Sequence, residues 1–140
     1  MTERQRLRFR WLAKSLYAIV QLAPHAAVPE WATRGEFTSV SRSPHELSIV
    51  CAIENLPADV RSPHRWICLK LEGPFSFSQT GVLLSFVEPL SSKGIPIFAI
   101  STYDTDYVLI QEEWAGAAIQ ALEDAGHELW NPDEPRAQAH

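Results

Sequence analysis

Apolar and polar positions alternate in short runs along most of the chain, and these runs predict β-strands. Strand-like sequence covers residues 14–23, 37–43, 46–52, 65–73, 95–102, 106–111 and 127–130. Apolar residues at a period of two, bounded by Pro, Gly, Asn or Ser, are typical of strands with one buried face. The pattern therefore predicts seven strands.

Two other segments have the 3.6-residue apolar spacing of an amphipathic helix. Residues 80–93 place Val82, Leu83, Phe86, Val87 and Leu90 on one face, and residues 112–125 do the same with Trp114, Ala117, Ala118, Ala121 and Leu122. Gly94 and Gly126 follow the two segments, as expected at helix C-termini. Residues 65–130 thus read βαββαβ. This order predicts a ferredoxin-like α+β fold, a four-stranded antiparallel sheet with two helices on one face.

The first half of the chain looks like a shortened copy of the second. Residues 40–50 match residues 100–110 at a constant offset of 60, and residues 17–24 match residues 67–74 at an offset of 50. The first copy therefore lacks about ten residues, or about three helical turns. We predict a truncated N-terminal unit at 12–60 and a complete C-terminal unit at 61–131.

The two ends of the chain differ from these units. In residues 1–11, Arg6, Arg8 and Arg10 alternate with apolar residues, which predicts a short edge strand or a frayed basic arm that we treat as flexible. Residues 132–140 are polar and contain proline, and we expect a flexible tail.

Composition narrows the class of protein. The chain has 140 residues with a formal net charge of −5, which argues against a nucleic-acid partner. No apolar run approaches the ~20 residues of a membrane span, so we expect no membrane partner and a cytoplasmic protein. Cys51 and Cys68 lie in apolar strand-like runs, which favours buried thiols, and a disulfide between them stays open.

The segment that opens the first predicted helix offers a place for an anion. The sequence LEGPFSFSQTGVLL ends a strand at Gly73 and supplies Ser76 or Ser78 as a helix cap. A helix N-terminus presents free N–H groups and a partial positive charge, and Gly81 would let a ligand approach the backbone. A capped helix without a ligand explains the same residues.

The hairpin STYDTDYVLI offers the complementary charge. In a βαββαβ sheet, the loop after the first strand and the hairpin after the second reach the same end, so Asp104 or Asp106 can face the helix start. A carboxylate suits an α-ammonium group and helix N–H groups suit an α-carboxylate, which together fit a free amino acid or a similar zwitterion. A solvated turn is the alternative for the two aspartates.

Catalytic and metal signatures are weak in this sequence. Asp104 and Asp106 could serve as the carboxylate pair of a hydrolase, but the sequence places no nucleophile beside them, so we rank that alternative lowest. His45 and His64 each end an RSPH segment, which is typical of a turn, and no third ligand has metal-site spacing. We predict no metal and no cofactor.

At two blocks, LEGPFSFSQTGVLL and IFAISTYDTDY, the sequence resembles the small bacterial tandem ACT-domain proteins, which are related to the ACT modules of the mammalian cytosolic arginine sensor. The resemblance covers roughly residues 12–129. It implies a regulatory module that senses an amino acid, has no catalytic activity of its own, and forms a homodimer.

The resemblance also implies the residues that contact the ligand. They are Ser76, Gln79, Thr80, Gly81, Val82, Thr102, Tyr103, Asp104 and Asp106. Gln79 is neutral where an acidic residue would suit a cationic side chain, which argues against arginine as the ligand. The alternative function is a ligand-free interaction or dimerisation module that binds a protein partner.

Overall fold

The computed structural model describes residues 5–73, 75 and 81–131. The chain forms two compact units, an N-terminal unit of Leu12–Ile67 and a C-terminal unit of Met1–Trp11 with Cys68–His140. The predicted tail at 132–140 lies outside the described residues. In chain order, the strands and helices are β1 Arg8–Trp11, β2 Tyr17–Leu22, β3 Ser39–Arg42, β4 Leu47–Ala52, β5 Trp66–Leu71, α1 Val82–Ser92, β6 Phe98–Ser101, β7 Asp106–Gln111, α2 Ala115–Asp124 and β8 Glu128–Leu129, with 3₁₀ turns at Glu30–Thr33, Ile53–Asn55 and Glu112–Trp114.

The C-terminal unit contains the predicted βαββαβ order from β5 to β8, and its two helices pack against each other. Its strands are ordered β6-β7-β5-β1-β8. The expectation of a four-stranded sheet is therefore corrected, because β1 lies between β5 and β8. Strand β1 pairs antiparallel with β5, opposing Phe9 to Leu71, and parallel with β8, opposing Phe9 to Leu129.

The expectation of a flexible arm at 1–11 does not hold for Arg8–Trp11. Leu7 and Phe9 are buried, and the Phe9 ring packs edge-on against Phe86 of α1 at 5.3 Å between centroids. The alternation that we saw in the sequence thus places apolar side chains in the core. Strand β8 has only two residues, so β1 supplies most of the hydrogen-bonding surface on that side of β5.

The arginines of β1 have acidic and aromatic neighbours inside the same unit. Arg8 Nε lies 3.8 Å from the Glu128 carboxylate, and its guanidinium stacks 4.5 Å from the Trp130 ring centroid. Arg10 Nε lies 3.8 Å from the Glu72 carboxylate. Arg8 and Arg10 are therefore part of the folded C-terminal unit.

Both helices end at the predicted glycines. The Gly94 N–H donates to Ser91 O and the Ile95 N–H to Leu90 O, and after α2 the Gly126 N–H donates to Glu123 O and the His127 N–H to Leu122 O. This paired arrangement, with a left-handed glycine after the last turn, satisfies the final carbonyls of each helix. On α2, Ala118, Ala121 and Leu122 are buried as expected, whereas Ala117 is exposed.

In the N-terminal unit, the strands are ordered β3-β4-β2. Strand β4 pairs antiparallel with both β2 and β3, and Tyr17 of β2 opposes Trp66 at the start of β5. Within this fully described unit, 3₁₀ turns stand in place of the two helices. Its core consists of Ala18, Val20, Ala32, Leu47, Ile49 and Cys51.

Hydrogen-bond register corrects the alignment of the two copies by one residue. The Ser43 N–H donates to Glu46 O at the end of the β3–β4 hairpin, and the Thr102 N–H donates to Thr105 O at the end of the β6–β7 hairpin. The hairpins therefore match at an offset of 59, and the bounds of β2 and β5 match at 49. The ten-residue difference survives, but Asp106 matches Leu47 instead of Glu46.

Two further findings bear on the class of protein. Cys51 and Cys68 are both buried and carry free thiols, so the disulfide that the sequence left open is not formed. Burial, with a smaller effect of the Glu54 carboxylate, raises the pKa of the Cys51 thiol to about 11. Over the described part of the chain, no helix combines the length and the apolar character needed to cross a membrane.

Candidate functional site

A pocket of about 440 Å³ opens in the C-terminal unit where the start of α1 faces the β6–β7 hairpin. Pockets of this size hold small molecules. Its described lining residues are Phe75, Gly81, Val82, Leu83, Leu84, Ser101, Thr102, Tyr103, Asp104, Thr105 and Asp106. Among them, Asp104 and Asp106 are the charged ones.

The helix side of the pocket is the first turn of α1. Gly81 is the residue before the helix and has a left-handed backbone with a φ of 77°, and the Ser85 N–H donates to its carbonyl at 2.9 Å. The first N–H groups of a helix have no partner inside the helix, and the helix dipole gives this end a partial positive charge. The pocket therefore offers backbone donors for an anionic group.

The opposite side of the pocket is the hairpin, where a carboxylate is held in place. Ser101 ends β6 and Asp106 begins β7, and the two residues are cross-strand partners. The Ser101 hydroxyl donates to the Asp106 carboxylate, which stays partly exposed to the pocket. This hydrogen bond orients the Asp106 carboxylate at the wall of the pocket.

Hydrogen bonds fix the loop between these two residues. The Thr102 N–H and hydroxyl both donate to Thr105 O, at 2.8 and 3.1 Å. Thr105 is buried, and its hydroxyl donates to Leu71 O of β5 at 2.8 Å. The Phe75 N–H donates to Asp104 O at 2.8 Å, which ties the loop after β5 to the hairpin.

Gly73 lets the loop and the hairpin approach each other. A Cβ on Gly73 would lie 2.8 Å from Asp104 O and 3.2 Å from both Phe75 N and Thr105 Cβ. A Cβ atom at position 73 could not fit there unless the neighbouring backbone moved. The wall of the pocket therefore depends on the absence of a side chain at this position.

We expect Gly73→Ala to destabilise the chain by about 1–3 kcal/mol, the usual effect of overpacking, and to weaken any ligand that uses the hairpin. Gly116→Ala is the matched control. It lies in α2 with no atom within 4 Å of the new Cβ, and it should stabilise the helix by about 0.5–1 kcal/mol. Urea unfolding of both variants measures the two changes. Equal stability of the two variants would contradict this role for Gly73.

The pocket brings together six of the nine predicted contact residues: Gly81, Val82, Thr102, Tyr103, Asp104 and Asp106. Ser76, Gln79 and Thr80 lie outside the described residues. That any of the nine contacts a ligand stays a prediction.

Five residues that line the pocket were not among the predicted contact residues: Phe75, Leu83, Leu84, Ser101 and Thr105. Ser101 could have been found, because the cross-strand partner of Asp106 shares its face of the sheet. Thr105 could not, since its bond to Leu71 joins segments that are distant in sequence. In the described ranges, no three His, Cys, Asp or Glu side chains are close enough to hold a metal ion.

Comparison with known proteins gives the chain a family. A family model described as an ACT domain matches residues 61–124, and a model of an N-terminal domain matches residues 15–59. CASTOR3P of Homo sapiens is 31% identical over 56% of this chain and 56% of its own length. The chain therefore spans a little over half of that relative.

Solved structures extend the likeness to nearly the whole chain. Protein Atu0741 from Agobacterium tumefaciens is 39% identical, with a TM-score of 0.84 over 97% of this chain and 99% of its own. Protein VC0802 from Vibrio cholerae has a TM-score of 0.68 at 21% identity, over 86% of this chain and 90% of its own. The regulatory subunit of aspartate kinase from Thermus thermophilus has a TM-score of 0.52 at 17% identity, over 81% and 95%. The last two share the fold.

These matches agree with the prediction of an α+β, ferredoxin-like fold and with the resemblance of the sequence to ACT-domain proteins. ACT domains are regulatory ligand-binding modules. The chain belongs to the ACT-domain proteins.

Proposed function

We propose that this chain is an amino-acid-binding regulatory module whose ligand occupies the pocket between the α1 start and the β6–β7 hairpin. One observation carries the proposal: backbone donors at Gly81–Leu84 and the fixed Asp106 carboxylate line the same pocket. A zwitterion needs partners of both signs, and this pocket offers them from opposite walls. The α-carboxylate would contact the helix start and the α-ammonium Asp106.

The rest of the lining suggests how the ligand side chain is received. Phe75, Val82, Leu83 and Leu84 contribute apolar surface, and Asp104 and Tyr103 lie at the exposed rim. Small-molecule sites combine mostly apolar walls with a few polar groups that fix orientation. The two carboxylates of the lining favour an amino acid whose side chain is not acidic, because Asp104 and Asp106 would repel a second carboxylate.

A thermal-shift screen against the common free amino acids tests the proposal. A ligand present at a hundred times its Kd adds about 2.7 kcal/mol to the free energy of unfolding, which is a rise of several degrees in Tm for a chain of this size. The expected result is a rise with one amino acid or one chemical group of them. No rise with any amino acid would contradict the proposal.

A ligand-free interaction module is the second candidate, and two exposed apolar side chains favour it. Leu84 is 61% exposed and Tyr103 is 79% exposed, both at the rim of the pocket. Exposed apolar groups of this size are common at protein interfaces. A chain that forms a stable dimer and binds no amino acid would support this candidate over the first.

Assembly and location complete the proposal. ACT domains generally bind small ligands and dimerise, so we include a homodimer, which sedimentation at several protein concentrations would reveal. The two free, buried cysteines suit the reducing cytoplasm. As a regulatory module, the chain would pass the ligand signal to a protein partner.

A further inference from the structure

The corrected register shows which residues of the N-terminal unit stand where the pocket lies in the C-terminal unit. At the hairpin offset of 59, Arg42 matches Ser101 and Leu47 matches Asp106. At the strand offset of 49, Pro24 matches Gly73 and Ala26 matches Phe75. The N-terminal unit therefore has an arginine at the hairpin position that faces the loop after its first strand.

The Arg42 side chain spans that loop. Its Nη1 donates to Pro24 O, and its Nη2 donates to Ala26 O at 2.8 Å. Two nitrogens of one guanidinium thus bind two carbonyls that are two residues apart. The planar fork of a guanidinium suits such paired acceptors, and a lysine ammonium does not reproduce it.

The other residues around Arg42 also differ from those that form the C-terminal pocket. Leu47 is fully buried in the core of the N-terminal unit, so no carboxylate stands where Asp106 lines the pocket. The helix that opens the pocket is replaced here by residues 23–29 and a 3₁₀ turn. The Arg42 guanidinium therefore contacts the loop that takes the place of this helix.

We propose that the N-terminal unit contains a guanidinium-binding site, formed by the carbonyls of Pro24 and Ala26 and filled in cis by Arg42. This occupation leaves the C-terminal pocket as the place for an external ligand. The cis site does not depend on whether that pocket binds an amino acid. Arg42 is at the surface, so a small solute can reach its place when the side chain is removed.

The test is chemical rescue of the full chain. Arg42→Ala should lower Tm by about 3 °C or more, because two charge-assisted hydrogen bonds are lost. Millimolar guanidinium should recover at least half of that loss, while tetramethylammonium at the same concentration should not. Arg61→Ala, which removes another exposed arginine from this unit, should respond to neither ion.

Three results would overturn the proposal. The first is an Arg42→Ala variant with the same Tm as the wild type. The second is an equal recovery of Tm in the guanidinium and tetramethylammonium salts, and the third is no recovery of Tm in guanidinium. If Arg42→Ala does not fold, Arg42→Ser replaces it, since the matching position of the other unit is a serine, Ser101. The same comparison of salts then decides the outcome.

Discussion

Replacing Phe9 with alanine lowers the free energy of unfolding by about 3–5 kcal/mol, the usual loss for a buried phenylalanine. Phe9 is fully buried, opposes Leu71 and Leu129 on the neighbouring strands, and contacts the ring of Phe86. Alanine leaves a cavity at the centre of the C-terminal unit. Urea unfolding followed by circular dichroism measures the change.

Phe9→Leu is the matched control for this prediction. Leucine keeps most of the apolar volume, so its loss should be clearly smaller than that of alanine. A change within about 0.5 kcal/mol for Phe9→Ala, as expected of an exposed residue, would show that residues 8–11 are the flexible arm that the sequence suggested.

Replacing His127 with leucine is the second change with a large expected effect. The His127 ring is buried and bonded at both nitrogens. Nδ1 accepts from the Leu7 N–H at 3.0 Å, so Nε2 carries the proton and donates to Ser85 O at 2.8 Å. Leucine leaves both backbone groups without these partners, at about 1–3 kcal/mol for each. Denaturant unfolding should show roughly 2–6 kcal/mol of lost stability.

Pro89 explains why Ser85 O needs the histidine. It lies inside α1 and has no N–H, so the helix cannot supply the usual donor to the carbonyl four residues earlier, which is Ser85 O. Pro89→Ala restores that donor. The double variant Pro89→Ala/His127→Leu should therefore recover part of the stability lost by His127→Leu alone. Purely additive effects of the two changes would contradict this pairing.

The same histidine predicts a dependence on pH. Burial lowers the pKa of His127 below its usual 6.5, and the bond to Ser85 O opposes this shift only in part. The unfolded chain binds the proton more readily, so the stabilisation by His127 is full above about pH 6.5 and is lost as the pH falls through the folded-state pKa. Unfolding of wild type and His127→Leu across this range should show their difference shrinking toward acidic pH. A constant difference would refute the prediction.

Much of the fold follows from local patterns. The apolar spacing and the terminal glycines predicted α1 and α2, because helix ends and amphipathic faces are encoded by neighbouring residues. The position of β1 in the sheet could not be predicted from local patterns. Alternation in residues 6–11 indicates a strand, but its partners are a distant strand, β5, and a two-residue strand, β8, that carries little pattern of its own.

The sequence predicted which two segments form the site, but not the register of the repeat or the contacts within the site. The sequence places the α1 start and the hairpin at one end of the sheet, and the pocket joins them. The alignment of the repeat placed acid on acid, Glu46 on Asp106, whereas hydrogen bonding places Leu47 there. A shift of one residue reverses the face of every side chain on a strand, so similarity of residue type cannot replace the register. The close contact of Gly73 with Asp104 O depends on tertiary structure and was not foreseen.

Asp106 is the residue on which the proposed function depends most. Its side chain is the carboxylate held by Ser101 at the wall opposite the α1 start. Asp106→Asn keeps the shape of the side chain and removes its charge, and a hydrogen bond to a charged group contributes about 1.5–3 kcal/mol. Glu113→Gln makes the same change of charge at an exposed position outside the described lining of the pocket.

Calorimetric titration of wild type, Asp106→Asn and Glu113→Gln with the amino acid that gives the largest thermal shift is the most direct test of the account. We predict that Asp106→Asn binds about 10- to 100-fold more weakly than wild type, and that Glu113→Gln binds as tightly as wild type. Equal affinity of all three proteins for that amino acid would contradict the proposed site.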